Sequence, residues 1–384
     1  MGLSLLASLL ALPAGAQLTP LGPETVVAAG NELGLQCPQV IGHADRSFSV
    51  VWTQNPDVDQ YSILAQRFDG AGVPRGGRID VDAGSLQHRR LALTQVANRG
   101  ALGDIVTWSS APVGSPDTLR FDSRVLSAPA PARITTPPYM HRLFPRTAGG
   151  YLGIWAARNA CSFALLDAKG HPEGPAARID GSSTDFYCAA ATPSADGSFT
   201  LDWYHPNGTP SYRFRRFGPT ARPLGPESSV ADLHPGSGIS VASGPDGRTA
   251  LAWALYADSP PGVRGSLRAQ FFGADGRPAS SAFTVETTST SPSAYFPDAV
   301  AMDRQGRALI LWEFLGFDPA VERHVLQLQT PVGAASPILD LGDQPVTASV
   351  FCASIATAGR TWVIAWRAFL PDVGEAIYVR RFSS

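Results

Sequence analysis

The sequence predicts an all-β protein made of seven repeats, each containing four antiparallel strands. Three observations support this prediction. Tryptophans recur at intervals of roughly 50 residues, a period typical of propellers and solenoids. Each one comes at the end of a short segment rich in β-branched and aromatic residues, such as "SFSVVW" or "RALILW". No segment sustains the 3.6-residue apolar period of a helix. The recurring tryptophans are Trp52, Trp108, Trp155, Trp203, Trp253, Trp312 and Trp366.

Each repeat has the same order of strands and turns. A first apolar strand leads through a tight Asp-Gly or Gln-Gly turn to the strand that ends in tryptophan, as in "ISVASGPDGRTALAW", Ile239–Trp253. Glycine at such a turn permits a positive φ. A variable loop, a third strand, a Gly/Pro turn and a fourth strand follow, as in Tyr61–Asp82. Four-stranded units repeated radially describe a seven-bladed β-propeller. An open solenoid would need polar capping repeats, and a pair of β-sandwiches would not explain one tryptophan per unit.

The two ends of the chain match the two halves of one internal segment. In "YRFRRFGPTARPLGPESSV", Tyr212–Val230, a third strand is followed by a turn and a fourth strand. The C-terminal "IYVRRFSS", Ile377–Ser384, matches the first half, and "LTPLGPETVV", Leu18–Val27, matches the second. The sequence therefore predicts that the N-terminal outer strand pairs with the C-terminal blade and closes the ring. Closure also removes exposed strand edges.

The four cysteines fit an oxidising compartment and lack the spacing of a metal site. Cys37 and Cys352 fall in the first and seventh repeats, which become neighbours only if the ring closes. Cys161 and Cys188 form the other predicted pair. Four buried free thiols are the alternative. The connectivity also stays open, because four cysteines allow three pairings.

The N-terminus resembles a secretory signal. "MGLSLLASLLALPAGAQ" is an apolar run that ends in Ala14-Gly15-Ala16, a small-x-small cleavage pattern, and it is too short to span a bilayer. We therefore expect residues 1–16 to be removed and residues 17–384 to form a single propeller domain, secreted or periplasmic. A buried strand or helix of the mature domain is the alternative interpretation.

The charge distribution argues against a nucleic-acid partner. The net charge is −2, only 16% of residues are charged, and the arginines are dispersed among acids. Binding to nucleic acid or to an anionic membrane needs a concentrated positive field. We expect no nucleic acid, no membrane span and a monomer.

The repeat pattern is similar to that of exported bacterial β-propeller proteins. "FSVVWTQNPDVDQYSILAQRFDGAGVPRGGRIDVD", Phe48–Asp82, has their Trp-ended strand, Asp/Gly loop, "AQRFD" and Gly-x-Pro, and Leu267–Val285 matches the same pattern. The resemblance covers nearly the whole mature chain, more loosely in the second and sixth repeats. It implies the propeller scaffold and export. Because members of this group mostly lack assigned activities, it implies no site residues.

The variable loops after the tryptophans are the predicted functional region, since variable loops on a rigid scaffold usually carry function. They contain aromatic residues and acids that would line the mouth of the ring, or would cap turns through their own backbone. Asp57-x-Asp59 lacks the glycine and glutamate of a calcium loop, so calcium is only a minor alternative and no cofactor is expected. Asp202 is polar where other repeats are apolar, and we expect it to face solvent or to accept a buried hydrogen bond. The candidate ligand-binding residues are Asp57, Asp59, Tyr204, His205, Tyr256, Asp258, Phe314, Asp318, Phe369 and Asp372.

No nucleophile elbow, zinc-binding helix motif or P-loop is present in the sequence. The favoured hypothesis is a secreted, non-enzymatic binding or adhesion module that presents its variable loops to a protein or glycan. An extracellular glycoside hydrolase or lyase would need two acids that converge in a central pocket. A structural component of an envelope complex is the third hypothesis.

Overall fold

A computed structural model shows an all-β chain. The described residues are 17–30, 34–57, 60–82, 88–112, 119–136, 140–157, 160–179, 190–205, 211–231, 238–259, 262–287, 293–317, 320–344, 352–370 and 374–384. They contain 29 strands and one 3₁₀ turn, Gly100–Leu102. Within these ranges no helix has the length and apolarity to cross a membrane. The predicted leader, residues 1–16, lies outside the described residues.

The strands form seven antiparallel blades, as predicted. In each blade the strands are lettered A to D in order from the first. The first blades comprise β1 (Thr19–Pro20) and β2 (Thr25–Gly30), which belong to blade 7; β3 (Gln39–Gly42), β4 (Phe48–Asp57), β5 (Gln60–Phe68) and β6 (Pro74–Asp80) of blade 1; β7 (His88–Asn98), β8 (Asp104–Pro112), β9 (Arg120–Val125) and β10 (Ala132–Ile134) of blade 2; and β11 (Met140–Pro145), β12 (Tyr151–Ala157), β13 (Ala160–Leu166) and β14 (Ala177–Ile179) of blade 3.

The remaining blades follow the same order, although β21 and β23 also make one parallel bridge between blades 5 and 6. These strands are β15 (Ala190–Pro193), β16 (Phe199–His205), β17 (Ser211–Phe217) and β18 (Ser228–Ala231) of blade 4; β19 (Ile239–Ser243), β20 (Thr249–Ser259), β21 (Gly262–Phe272) and β22 (Phe283–Thr287) of blade 5; β23 (Ser293–Met302), β24 (Ala308–Phe317), β25 (Ala320–Gln329) and β26 (Leu339–Gln344) of blade 6; and β27 (Ala353–Ala358), β28 (Thr361–Leu370) and β29 (Gly374–Ser383) of blade 7.

The A strands form a closed inner ring. Each contacts the A strand of the next blade, in the order β3, β7, β11, β15, β19, β23, β27 and back to β3. The A–B and C–D turns lie on one side of this ring, called here the turn face. The B–C hairpins lie on the other side, called the hairpin face.

The N-terminal strands complete blade 7, which confirms the predicted closure. Thr19 pairs with Ser383, and β2 pairs with β29 from Thr25↔Val379 to Gly30↔Glu375. The predicted single outer strand is two short strands separated by a turn. Arg380 makes an ion pair with Glu24 at 3.1 Å, and the Arg381 guanidinium donates to the Leu21 carbonyl at 2.9 Å. The two ends of the chain therefore form one blade.

The core consists of seven clusters of buried side chains, one for each pair of neighbouring blades. Each recurring tryptophan packs in the cluster shared with the preceding blade. Trp108 of blade 2 packs against blade 1, and Trp52 of blade 1 packs against blade 7. One large apolar side chain per repeat therefore fills one interface, because a blade cannot bury its broad faces alone. This packing explains the tryptophan period.

A disulfide crosses the closure between blades 7 and 1. Cys37 is bonded to Cys352, as predicted, over a sequence separation of 315 residues. Nearby, the Leu35 backbone N–H donates to Glu375 Oε2 at 2.6 Å. Cys161 is buried and is disulfide-bonded, whereas Cys188, its predicted partner, lies outside the described residues. Both observations fit an oxidising compartment.

Gly42 lies where the inner strands of blades 1 and 7 approach most closely. A Cβ at Gly42 would clash with the backbone of Thr357 and Ala358. We expect Gly42→Ala to lower the free energy of unfolding by about 2–3 kcal/mol, because two backbones must separate to admit the methyl group. Denaturant unfolding measures the change.

Gly77→Ala is the matched control for this substitution. Gly77 lies in the outer strand of the same blade, and no heavy atom lies within 4 Å of a Cβ built there. We expect this variant to lie within about 0.5 kcal/mol of the parent. Equal stabilities of the two variants would contradict the close approach at the closure.

Candidate functional site

B–C strand pairing extends further past the tryptophan in four neighbouring blades than in the other three. In blade 5, strand pairing continues past Trp253 to Ser259↔Gly262, whereas in blade 3 it ends soon after Trp155, at Ala157↔Ala160. The long hairpins belong to four neighbouring blades, 5, 6, 7 and 1. Their last pairs are Ser259↔Gly262, Phe317↔Ala320, Leu370↔Gly374 and Asp57↔Gln60. Blades 2 to 4 end their B–C pairing at Ser110↔Arg120, Ala157↔Ala160 and His205↔Ser211.

The prediction that the tryptophans end their strands is therefore wrong. Trp253 lies in the middle of β20, and most of the "variable loop" after it is paired backbone. Asp, Pro and Gly in these segments suggested loops. The structure accommodates such residues, for example by a bulge between Gln54 and Asp57, next to Pro56. Side-chain variability thus belongs to rigid hairpins more than to loops.

The structure places five of the ten predicted site residues on the long hairpins. The backbones of Asp57, Tyr256, Asp258, Phe314 and Phe369 lie in strands that rise from blades 1, 5, 6 and 7. Tyr204 and His205 end the short hairpin strand of blade 4. Asp59, Asp318 and Asp372 lie outside the described residues. The ligand-binding role of all ten residues stays a prediction.

Two of these aromatic side chains are described, and Phe314 packs within the scaffold. Phe314 lies against Tyr295, with ring centroids 5.4 Å apart, at the edge of the cluster between blades 5 and 6. Tyr204 is half-buried and faces Tyr212 in the strand register. The contact between Phe314 and Tyr295 joins strands A and B of blade 6.

Asp202 is buried beneath the hairpin of blade 4, where it accepts a 2.7 Å hydrogen bond from the Tyr212 hydroxyl. This contact confirms the second of the two predicted roles. Burial raises the pKa of Asp202 to about 6, while the Tyr212 hydrogen bond and the Arg142 charge lower it. Burial and the adjacent carboxylate raise the pKa of Tyr212 well above its usual value, so the hydroxyl keeps its proton and donates.

We expect Asp202→Asn to change the pH dependence of stability. A carboxyl whose folded-state pKa is about 6, against 3.8 in the unfolded chain, destabilises the fold as the pH rises from about 4 to 6. The Asn variant lacks this loss, and its stability relative to the parent should rise by about 2–3 kcal/mol between pH 4 and pH 7. Urea unfolding across this range measures the difference.

Tyr212→Phe is the companion variant. It removes a hydrogen bond that favours the charged carboxylate, so the loss of stability with rising pH should be larger than in the parent. Parallel pH profiles for the parent and the Asn variant would contradict the raised pKa of Asp202.

Other carboxylates of the described chain are held by structural partners that the sequence did not reveal. Glu286 accepts a 2.7 Å hydrogen bond from the Trp312 indole, and burial raises the pKa of its carboxyl. Asp298 lies 3.6 Å from His324 Nδ1 inside blade 6, and burial raises its pKa as well. Glu375 pairs with Arg367 at 3.0 Å. Within the described ranges, no group of three His, Cys, Asp or Glu side chains is arranged to hold a metal ion.

No family model matches the sequence, and no curated protein matches it. Solved structures are similar to the chain at low sequence identity. The propeller domain of the Trilobed protease from Pyrococcus furiosus, described as having an open velcro topology, is 10% identical with a TM-score of 0.49, and the match covers 92% of this chain and 94% of that chain. A protein of unknown function from Dyadobacter fermentans is 9% identical with a TM-score of 0.49, covering 95% and 99%. Prolyl oligopeptidase B from Galerina marginata is 11% identical with a TM-score of 0.49, covering 89% and 48%. The seven-bladed assignment depends on the strand pairing itself.

Proposed function

We propose that this protein is a secreted, non-enzymatic binding module that engages a protein or glycan through its hairpin face. The observation that carries the proposal is the wall of long hairpins on four neighbouring blades. The paired backbone of these hairpins presents variable side chains on a regular scaffold, the arrangement in which function is usually found.

The scaffold beneath the wall supports a binding role. The closed inner ring, the paired chain ends and the Cys37–Cys352 bond hold the hairpins in fixed relative positions. A preorganised surface binds with a smaller entropic cost than a mobile one. A glycoside hydrolase or lyase would need two carboxyl groups that can reach a substrate. Glu286, Asp298 and Glu375 instead contact structural partners.

Shortening the blade 5 hairpin tests the proposal. Leu255 pairs with Ser266, so replacing Tyr256–Gly265 with Asn-Gly joins these two residues through a two-residue turn and keeps the register. We expect the variant to fold like the parent and to lose at least about tenfold in affinity for the glycan or surface protein that the parent retains. Glycan arrays and cross-linking on the native cell surface identify that partner, and titration measures its affinity.

Val332→Ser is the control for the shortened hairpin. Val332 is 89% exposed on a C–D turn of the turn face, so its replacement should leave the affinity unchanged. Parent protein that retains no glycan and no surface protein would overturn the proposal. A shortened variant that binds like the parent would also overturn it, and turnover of a retained glycan would identify an enzyme instead.

Export is part of the proposal, supported by the disulfides and the leader-like N-terminus. We expect protein recovered from outside the cytoplasm to begin at Gln17. N-terminal sequencing measures this, and recovery of the intact chain only from the cytoplasm would contradict export.

A further inference from the structure

The A–B turn of blade 1 contains an arginine in a backbone conformation that suits glycine. Six A–B turns close with the same two backbone hydrogen bonds, for example His43 N–H to Ser47 O and Arg46 N–H to His43 O in blade 1. At the fourth position of the turn, blade 1 has Arg46 with a φ of 73°. Four of the other turns have glycine there: Gly149, Gly197, Gly247 and Gly306, with φ values of 100°, 82°, 79° and 78°. The turn of blade 2 has Leu102 at this position, within the 3₁₀ turn, and its φ is not positive.

A positive φ is unfavourable for arginine because its Cβ crowds the backbone. Strained residues of this kind cluster at functional sites. Arg46 crosses from blade 1 towards blade 7, where a Cβ at Gly359 would lie 3.1 Å from Arg46 Cγ. Because Gly359 has no side chain, the Arg46 side chain can occupy the space beside it.

A cavity of about 520 Å³ opens beside Arg46 on the turn face. It spans the A–B turns of blades 6, 7 and 1. Four arginines line it: Arg46, Arg304, Arg307 and Arg360. Thr357, Thr361 and the buried Trp362 contribute to the wall, and Asp303 is the acidic side chain among the lining residues.

Asp303 is already neutralised within its own turn. Arg307 donates to Asp303 Oδ2 at 2.8 Å through Nε and to Ser384 Oγ at 2.7 Å through Nη2. By contrast, the guanidinium groups of Arg46, Arg304 and Arg360 make no hydrogen bond or ion pair with any residue that the structure describes. Three positive charges therefore face the cavity without an acidic partner in the described chain.

Other arginines of the turn face are used differently. Arg216 bonds Asp196 at 2.9 Å and the Ala274 carbonyl of the next blade at 3.0 Å, and Arg146 bonds Glu173 at 2.7 Å. Arg99 donates to the Arg146 and Gly150 carbonyls of blade 3. These arginines join blades or pair with acids of neighbouring turns. The three unpaired arginines of the cavity thus have no comparable structural role.

We propose that this cavity binds a tetrahedral oxyanion, sulfate or phosphate, free or as the monoester of a small organic group. Guanidinium groups present N–H pairs that match the oxygens of such anions. A volume of about 520 Å³ exceeds what one bare anion needs and leaves room for the organic group. The site lies on the face opposite the hairpins, so it is independent of the proposed binding function.

Thermal unfolding in sodium sulfate and in glycerol 2-phosphate tests the site, with sodium chloride at equal ionic strength as the reference. We expect the parent to show a saturable rise in melting temperature with both anions beyond that in chloride. The apparent affinity should fall as ionic strength rises. Tighter binding of glycerol 2-phosphate than of sulfate would indicate that the organic group occupies the part of the cavity that the anion does not fill.

Arg46→Gly separates binding from folding. Without anion, its melting temperature should equal or exceed that of the parent, because glycine adopts the positive φ without strain. Its affinity for sulfate should be about tenfold weaker or worse, through loss of one charge-assisted contact. Arg304→Gln, on an exposed residue of the same cavity, should weaken binding similarly.

Arg277→Gln is the matched control, since its side chain is 78% exposed on the turn face away from the cavity. It should bind sulfate like the parent. Stabilisation by sulfate no greater than by chloride would overturn the proposal. The proposal would also be overturned if Arg46→Gly and Arg304→Gln bound sulfate with the affinity of the parent. Equal weakening of sulfate binding in Arg277→Gln would overturn it as well.

Discussion

Removal of Ala376–Ser384 is expected to abolish cooperative folding of the whole ring. The deletion removes nearly all of β29, including the buried Ala376 and three large buried side chains, Ile377, Val379 and Phe382. Burial of each contributes about 1.5–3 kcal/mol. The deletion also leaves β2 without a partner and opens the core on both sides of blade 7. The summed loss is comparable to the typical stability of a domain, about 5–15 kcal/mol.

Urea unfolding followed by tryptophan fluorescence measures this effect, because every blade interface contains a tryptophan. The truncated chain should lack the cooperative transition of the parent. Ser384→Ala is the control, since it removes only the hydroxyl that contacts Arg307 and Trp362, and it should keep the transition. A truncated chain that unfolds like the parent would refute ring closure.

Deleting the N-terminal strands tests the same closure from the opposite side. Without Gln17–Gly30, β29 becomes an exposed edge, and the buried positions of Leu18 and Ala28 are empty. A synthetic peptide of residues 17–30 should restore stability by adding its strands to that edge. A peptide with the same composition in scrambled order should not. Rescue by both peptides would indicate that the effect is not strand pairing.

Loss of the Cys37–Cys352 bond is expected to have the second-largest effect. The bond closes a loop over a sequence separation of 315 residues, so it restricts the unfolded chain strongly. Replacing both cysteines with serine should lower the free energy of unfolding by about 2–5 kcal/mol. The parent and the double serine variant are both measured under oxidising conditions, which leave the Cys161 disulfide intact.

The disulfide and the strand pairing hold the same closure, so their effects should not add. In a chain that already lacks Gln17–Gly30, the double serine substitution is expected to cost less than in the parent. Full additivity would indicate that the bond acts only on the unfolded chain. A double serine variant as stable as the parent would contradict any role of the bond in stability.

The repeat pattern explains why so much of the fold could be predicted from sequence. One tryptophan per repeat indicates one interface per repeat, and the structure places each of them between neighbouring blades. The match between Tyr212–Val230 and the chain ends predicted the closure, and the closure predicted the Cys37–Cys352 pair. These features depend on local sequence repeated at a fixed period.

The candidate sites were less predictable. Pro56 and Asp57 suggested a loop, yet the backbone around them is paired with β5, because the partner strand and a bulge accommodate residues that disfavour strands. The cavity combines Arg46 with Arg304 and Arg360, which are far apart in sequence. Nothing in the local sequence indicates that these turns meet.

The sequence by itself determined the strand order, the number of blades, the closure of the ring and one disulfide. Each of these depends on a residue type that recurs at a regular spacing or on the match between two segments. Only the tertiary structure decided how far the strand pairing of each hairpin extends, that burial raises the pKa of Asp202 while Tyr212 donates a hydrogen bond to it, and that three unpaired arginines line one cavity. The physical reason is that these properties depend on which blades become neighbours and on how much water their packing excludes.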